Sequence, residues 1–205
     1  MNGETVQGEM LIVEDLMLLL LDDATGSIAV AGTLFYTLGG AMLVDLALRG
    51  QVEFDDTRAG SSGAKVHAVA GDPPSDPLLQ SALARVARRP RDVQTLLLEV
   101  GAGLYDPVID RLLERGLIRR DSKRALSVFR MTSLTINDTR HEAELLERVR
   151  AVLEDGESPD ARTAAMIGLL SSSGALPTLH PAITWTTAVH ERAKDLRTAA
   201  GRPPP

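Results

Sequence analysis

The feature that most constrains this sequence is an aliphatic stripe at helical spacing, which recurs along most of its 205 residues. In the clearest case, the apolar residues between Leu145 and Leu153 follow the spacing i, i+1, i+4, i+7 and i+8, which places them on one face of a helix. The same kind of spacing occurs between Leu78 and Ala87, just before Pro90. Such stripes are buried by packing helix against helix, so the sequence predicts a mainly α-helical protein.

Further helices are expected along the chain. The most apolar run, Met10 to Leu21, is interrupted by Glu14 and Asp15 and is shorter than the roughly 20 residues of a membrane span, so it predicts a buried helix. Asp106-Pro107 predicts a helix start, because proline fits the first turn and aspartate can cap it. The other predicted helices cover residues 41–49, 92–100, 106–115, 160–171 and 182–198. Helix should exceed about 45% of the chain, and strand should stay below about 15%.

Strand signals are few and short. The candidates are Ser27 to Val30, Gln51 to Phe54, Lys65 to Val69 and Ala125 to Met131. The segment Asp55 to Gly63, between the middle two, is typical of a hairpin connection. The sequence shows no internal repeat and no clear domain boundary, so we expect one domain.

Composition excludes several kinds of chemistry. The chain has no cysteine, which rules out disulfides and thiolate metal sites. Its four histidines are far apart in the sequence, and aromatic residues make up only 3%, which offers few stacking platforms for single-stranded nucleic acid. We therefore expect no histidine-based catalytic or metal site.

Three short motifs resemble functional sites but lack the required residues or spacing. Asp22-Asp23 lacks the spaced oxygen ligands of a calcium loop, so a helix stop followed by a turn is expected there. Gly101-Ala102-Gly103 has only two glycines of a dinucleotide fingerprint, and Gly60-Ser61-Ser62-Gly63 lacks the spacing of a nucleophile elbow. The sequence thus predicts a protein that is not an enzyme, with no catalytic residues, no metal and no cofactor.

The net charge of −6 is unevenly distributed. Residues 1–84 carry 12 acids and 3 bases, whereas residues 85–130 carry 6 acids and 11 bases. The acidic chain argues against indiscriminate attraction to DNA or anionic membrane, yet the middle segment offers a local basic patch to phosphate. The alternative is that these arginines simply coat exposed helix faces. Met1 to Glu9 lacks the basic start and cleavage site of a signal peptide, so we expect a cytoplasmic protein.

One local pattern favours a different function. Val108 to Ile118 predicts a helix, a glycine stop and a short apolar strand, and the charged segment Arg119 to Arg124 follows. This order resembles the second half of a winged helix, so a DNA-binding regulator is an alternative. The whole-chain pI of about 5.2 weakens it.

Three stretches together resemble the Golgi phosphoprotein 3 family, including its bacterial members. They are Leu11 to Gly26, with its apolar helix and paired acids, Gly40 to Gly50, which is the most diagnostic, and Leu112 to Ile118. Met131-Thr132 and Asp160-Ala161-Arg162 fit in the same order. The resemblance spans residues 10–176 approximately.

The resemblance implies a single helical domain at residues 10–200, with a central helical bundle wrapped by amphipathic helices, a projecting β-hairpin and short strands. Residues 1–9 and 201–205 would be flexible ends. Eukaryotic members are non-enzymatic peripheral membrane adaptors that bind phosphatidylinositol 4-phosphate and retain glycosyltransferases in the Golgi. For a bacterial member, only the lipid-binding or protein-binding part of that role can apply, at the inner face of the membrane.

The lipid-pocket residues of the family are not matched here. The family places a tryptophan and an arginine where this chain has Val30 and Gly39, and two arginines where it has Ala102 and Tyr105. Each arginine–phosphate contact contributes about 1.5–3 kcal/mol, so losing three would weaken a micromolar site by several orders of magnitude. We therefore expect no selective binding of the 4-phosphate.

The predicted anion-binding residues are Arg111, Arg115, Arg119 and Arg120. Arg111 and Arg115 are one helical turn apart, and Arg119-Arg120 follow the turn at Gly116, so the four could form one positive surface. Three nearby acids are close enough to pair with some of them: Asp110, Glu114 and Asp121. The expected partners are an anionic membrane lipid, or a protein or second copy bound through the β-hairpin, and no nucleic acid. A scaffold that binds only proteins is the third alternative.

Overall fold

The computed structural model describes residues 9–22, 25–55, 64–125 and 129–200, except the side chains of 122–132 and 198–200. Helix predominates among the described residues, which confirms the mainly α prediction. Within the described residues, no helix combines the length and the apolar character needed to cross a bilayer. The predicted flexible ends fall outside the description except for Glu9, which pairs with Arg49 at 3.0 Å.

The helices lie close to where the apolar spacing predicts them. They are α1 (Ile12–Leu20), α2 (Leu34–Leu48), α3 (Pro77–Ala87), α4 (Val93–Gly101), α5 (Tyr105–Glu114), α6 (Thr139–Leu153), α7 (Ala161–Ser173) and α8 (Thr187–Ala200), with a 3₁₀ turn at Leu176–Leu179. The start of α5 differs from the expectation, because Leu104 is its N-cap residue and Asp106 lies inside the first turn without capping it. Helix α8 begins at Thr187 rather than at 182.

Two small antiparallel sheets accompany the helices. Strands β1 (Val52–Asp55), β2 (Lys65–Ala68) and β3 (Arg91–Asp92) form one sheet in that order. Strands β4 (Ile118–Ala125) and β5 (Phe129–Ile136) form a hairpin whose register pairs Ile118 with Ile136.

Two strand predictions were wrong. Ser27 to Val30 makes a single bridge from Ile28 to Leu21 and then turns, with Val30 at a positive φ of 50°. Ala125 to Met131 is not one strand, because Ala125 pairs with Phe129 across the end of the hairpin. The described residues do not include 126–128. They also do not include 56–63, which cover most of the predicted β1–β2 connection and the Gly60-Ser61-Ser62-Gly63 motif.

Helix α1 lies at the centre of the fold. All nine of its residues are buried, and it packs against α2, α5, α6 and α7. Because it is surrounded on all sides, it can be apolar almost throughout rather than along one stripe. The buried helix predicted for Met10 to Leu21 is therefore confirmed.

Helices α2 and α4 approach each other through glycines. A Cβ on Gly39 would overlap the carbonyl oxygen of Leu97, and a Cβ on Gly101 would overlap the carbonyl oxygen of Phe35. The helix predicted at 41–49 starts seven residues earlier, at Leu34, so it includes Gly39. The glycines that weaken the local helix signal are needed for this close contact.

Candidate functional site

Two adjacent acids are buried in the first turn of α1. The side chains of Glu14 and Asp15 are 0% and 3% exposed. Acidic side chains are almost never fully buried unless they are paired, so their partners indicate what this region does.

Glu14 binds the end of α5. Its Oε1 accepts hydrogen bonds from Nε of Arg115 at 2.8 Å and from Nε of Arg111 at 3.2 Å, and its Oε2 accepts one from the backbone N–H of Leu11 at 2.8 Å. Arg111 also donates from Nη1 to Oδ2 of Asp76 at 2.7 Å. The charge of Glu14 is thus compensated by two arginines that come from a single helix face.

Asp15 binds α6 and α7. Its Oδ1 lies 2.7 Å from Nε2 of His141, and its Oδ2 accepts a hydrogen bond from Nη2 of Arg162 at 2.7 Å. The same Nη2 donates to the carbonyl oxygen of Met10 at 2.7 Å. Asp15 therefore joins three helices at one carboxylate.

Asp45 on α2 completes the arrangement. Its Oδ2 accepts the backbone N–H of Ile12 at 2.7 Å, and Arg162 lies 3.6 Å from its other oxygen. Burial raises the pKa of Asp45 to about 6, because the desolvation of its charge outweighs the opposing effects of the Ile12 hydrogen bond and of Arg162. Asp45 thus holds the start of α1 and binds its proton more tightly than a free aspartate.

Together these side chains form what we call the ion-pair network: Glu14, Asp15, Asp45, Asp76, Arg111, Arg115, His141 and Arg162. Each acid in it has a basic partner within 4 Å. The described residues contain no group of three or more His, Cys, Asp or Glu side chains placed to hold a metal ion. This arrangement fixes α1 against α2, α5, α6 and α7.

The pH dependence of stability tests the burial of Asp45. Because its pKa is raised from 3.8 to about 6 on folding, its contribution to stability is present below pH 3.8 and is lost as the pH rises through 6, a change of up to about 3 kcal/mol. Replacing Asp45 with asparagine removes this dependence and keeps an acceptor for Ile12. We expect the free energy of unfolding of the Asn variant, measured with urea relative to the wild type, to be up to about 3 kcal/mol higher at about pH 7 than at about pH 4. A difference between the two proteins that does not change with pH would contradict the assignment.

The structure divides the four predicted anion-binding arginines into two pairs. Arg111 and Arg115 are only 20% and 12% exposed and belong to the ion-pair network. Arg119 and Arg120, on β4, are 58% and 56% exposed and pair with Asp121 at 3.3 Å and Asp110 at 3.2 Å. The helical spacing of Arg111 and Arg115 is as expected, but their shared face is turned toward Glu14.

Sequence reasoning missed most of the ion-pair network. The signal was present, since two adjacent acids interrupt the most apolar run of the chain. Acids in such a run require basic partners from elsewhere, but the sequence does not say which of the 22 basic residues supply them.

Of the four positions that the resemblance assigns to a lipid pocket, Val30 lies in the turn before α2, and the other three lie on or beside α2, α4 and α5. Gly39 is buried against Leu97, while Ala102 follows the end of α4 and Tyr105 begins α5 with 39% of its surface exposed. None of these residues offers a cationic side chain.

A cleft lies on another part of the described surface. It has a volume of about 850 Å³ and is lined by Arg49, Arg111 and the proline-rich segment from Asp72 to Pro77. Both arginines are already bound to acids, Arg49 to Glu9 and Arg111 to Asp76. The cleft therefore offers no uncompensated cationic group from these two residues.

Comparison with known proteins identifies the family. A search of curated proteins found no match to the chain. The family model described as Golgi phosphoprotein 3 (GPP34) matches residues 12–204, which is nearly the whole chain. The chain therefore belongs to the Golgi phosphoprotein 3 family.

Proposed function

We propose that this protein is a non-enzymatic adaptor that binds anionic membrane surfaces peripherally, at the cytoplasmic face, through the β4–β5 hairpin. The observation that carries the proposal is the concentration of basic residues on this hairpin. Its two strands contain a single acid, Asp121, and five basic residues: Arg119, Arg120, Lys123, Arg124 and Arg130.

The ion pairs that Arg119 and Arg120 form with aspartates leave both arginines available to a lipid headgroup. Their partners Asp121 and Asp110 are 32% and 62% exposed, so both ion pairs lie at the surface. Surface ion pairs contribute only about 0–1 kcal/mol, and each base near an anionic membrane contributes about 1 kcal/mol. Exchange of an aspartate for a lipid phosphate therefore costs little.

We assign Arg111 and Arg115 a structural role instead. Moving them to a membrane surface would leave Glu14 charged and buried without its partners, which costs several kcal/mol. This free-energy cost exceeds the stabilisation that a headgroup contact would provide, so we place the membrane-binding site on the hairpin alone.

The surroundings of Gly39 support the loss of 4-phosphate selectivity. A side chain at this position would run into the backbone of Leu97, so an arginine could not be accommodated without separating α2 from α4. Ala102 and Tyr105 lack the guanidinium groups that form bidentate hydrogen bonds to a phosphate. Binding should therefore follow surface charge rather than headgroup identity.

The exposed face of α5 disfavours the DNA-binding alternative. In a winged helix, the helix before the wing presents basic residues to phosphate, but here Arg111 and Arg115 point inward. The exposed residues of α5 include the acids Asp106, Asp110 and Glu114. This helix would repel a DNA backbone.

Co-sedimentation with liposomes tests the proposal. The double variant Arg119→Glu/Arg120→Glu should bind phosphatidylglycerol liposomes at least about tenfold more weakly than the wild type, because two attractions become repulsions. Wild-type binding should fall steeply with salt, since exposed charges are screened over about 8 Å at physiological ionic strength. The melting temperature should change by no more than a few degrees, because both side chains are exposed.

The matched control is Arg88→Glu/Arg89→Glu, an adjacent exposed arginine pair outside the hairpin that changes the net charge equally. Equal loss of binding in both variants would contradict the hairpin site. Liposomes of matched charge that contain phosphatidylinositol 4-phosphate should bind no better, and a tenfold preference for them would refute the loss of selectivity. No binding at low salt would favour the protein-only scaffold, and a mobility shift with duplex DNA would favour the regulator.

A further inference from the structure

The two faces of the β4–β5 hairpin carry different charges. Successive residues of a strand belong to opposite faces, and residues directly opposite each other on two antiparallel strands share a face. Ile118 and Ile136 are opposite each other and buried, and they mark one face of the hairpin. Alternation along the strands places Arg120, Arg124 and Arg130 on this face, which we call the arginine face.

The opposite face contains the single acid of the two strands. Asp121 pairs there with Arg119 at 3.3 Å, and its Oδ2 accepts a hydrogen bond from Oγ1 of Thr135 at 3.1 Å. Lys123 belongs to the same face by alternation along β4. The opposite face therefore has two basic residues and one acid, whereas the arginine face has three basic residues and no acid from either strand.

Two positions of the arginine face are register partners. Arg124 of β4 is directly opposite Arg130 of β5. Like charges directly opposite each other on one face of a β-hairpin destabilise it. An anion bound between two guanidinium groups removes this repulsion, and arginine forms bidentate, charge-assisted hydrogen bonds to phosphate. This register is therefore unfavourable by itself and favourable with a phosphate.

The nearby acid of α5 does not supply that anion. Asp110 pairs with Arg120 at 3.2 Å, at the end of the arginine face that is nearest to α5. Arg120 and Arg124 are four residues apart on β4, which is about 13 Å along a strand. Asp121 lies on the opposite face. The hairpin therefore leaves the charge at the Arg124 and Arg130 positions to be balanced by a group from outside it.

We propose that the arginine face binds phosphate, with one phosphate group shared by Arg124 and Arg130 and with Arg120 adding to the attraction. The inference rests on the proposed membrane binding for the source of that phosphate, a lipid headgroup. A free phosphate ion satisfies the same chemistry, so the experiment separates the two sources. The opposite face contributes less, because Asp121 repels anions there.

Two double variants of equal charge compare the faces. Arg124→Gln/Arg130→Gln removes two positive charges from the arginine face, and Arg119→Gln/Lys123→Gln removes two from the opposite face. In co-sedimentation with phosphatidylglycerol liposomes, the arginine-face variant should bind at least about fivefold more weakly than the opposite-face variant. Equal losses in the two variants would refute selection of the arginine face by the membrane, and would leave the hairpin site itself in place.

A measurement without lipid tests the phosphate contact separately. Inorganic phosphate, compared with chloride at equal ionic strength, should slow amide hydrogen exchange in β4 and β5 at least about twofold in the wild type and in the opposite-face variant, but not in the arginine-face variant. This phosphate effect without any liposome binding would assign the face to free phosphate and contradict the proposed membrane function. A liposome difference without the phosphate effect would assign the face to the lipid headgroup. The inference fails if the two variants behave alike in both measurements.

Discussion

Replacement of Glu14 by alanine should lower the free energy of unfolding by about 3–5 kcal/mol, because it leaves two arginines without their buried partner. Arg111 retains Asp76, but Arg115 loses the 2.8 Å hydrogen bond to Glu14, and the backbone N–H of Leu11 loses its acceptor. For a chain of this length, each kcal/mol corresponds to roughly 2–4 °C in melting temperature. Urea unfolding followed by circular dichroism measures the change directly.

The control for this prediction is Glu9→Ala. Glu9 is 71% exposed and pairs with Arg49 at 3.0 Å, so its removal should cost less than about 1 kcal/mol. Similar losses at the two positions would mean that burial does not set the strength of the Glu14 contacts. A variant that fails to fold would agree with the prediction, provided that Glu9→Ala folds normally.

Replacement of Gly101 by alanine should lower the free energy of unfolding by about 3 kcal/mol or more. The added methyl group would overlap the carbonyl oxygen of Phe35, and backbone atoms cannot move aside as a flexible side chain can. Alanine favours a helix over glycine by only about 1 kcal/mol, so the overlap dominates. Differential scanning calorimetry should show a clear drop in melting temperature.

Gly71→Ala is the matched control, since Gly71 is exposed and a Cβ there would meet nothing within 4 Å. The free energy of unfolding of this variant should lie within about 0.5 kcal/mol of the wild-type value. A neutral Gly101→Ala variant would mean that α2 and α4 can separate freely, which would also weaken the argument that Gly39 excludes an arginine.

The helices were predictable because each amphipathic stripe reports its own secondary structure. Helix α6 and helix α3 carry unbroken apolar spacing, and both lie where the spacing places them. The start of helix α2 was predicted seven residues too late, because glycines that lower helix propensity are used there for contact with a distant helix. Local sequence cannot report a requirement that another segment imposes.

The hairpin was misplaced for a related reason. The sequence predicted a strand only from Ala125, after the charged segment Arg119 to Arg124, yet pairing with β5 makes that segment part of β4. An isolated β-hairpin owes its strand conformation to its partner, so a charged edge gives little periodic signal.

The ion-pair network was the part least accessible to sequence reasoning. The acids of α1 were visible as an interruption, and Arg111 and Arg115 were visible as a basic pair one turn apart. Nothing local distinguishes an arginine that binds a buried acid from one that binds a membrane. Only the packing of α5 against α1 decides between them.

The ion-pair network also bears on how the chain folds during its synthesis. Asp15 and Arg162 are 147 residues apart, which at translation rates of about 5–20 residues per second separates their appearance by roughly 7–30 s. For that interval the most apolar segment of the chain carries a carboxylate whose arginine does not yet exist. Helix α1 is made well before α7, so the chain must be synthesised through α7 before Asp15 can gain its arginine partner.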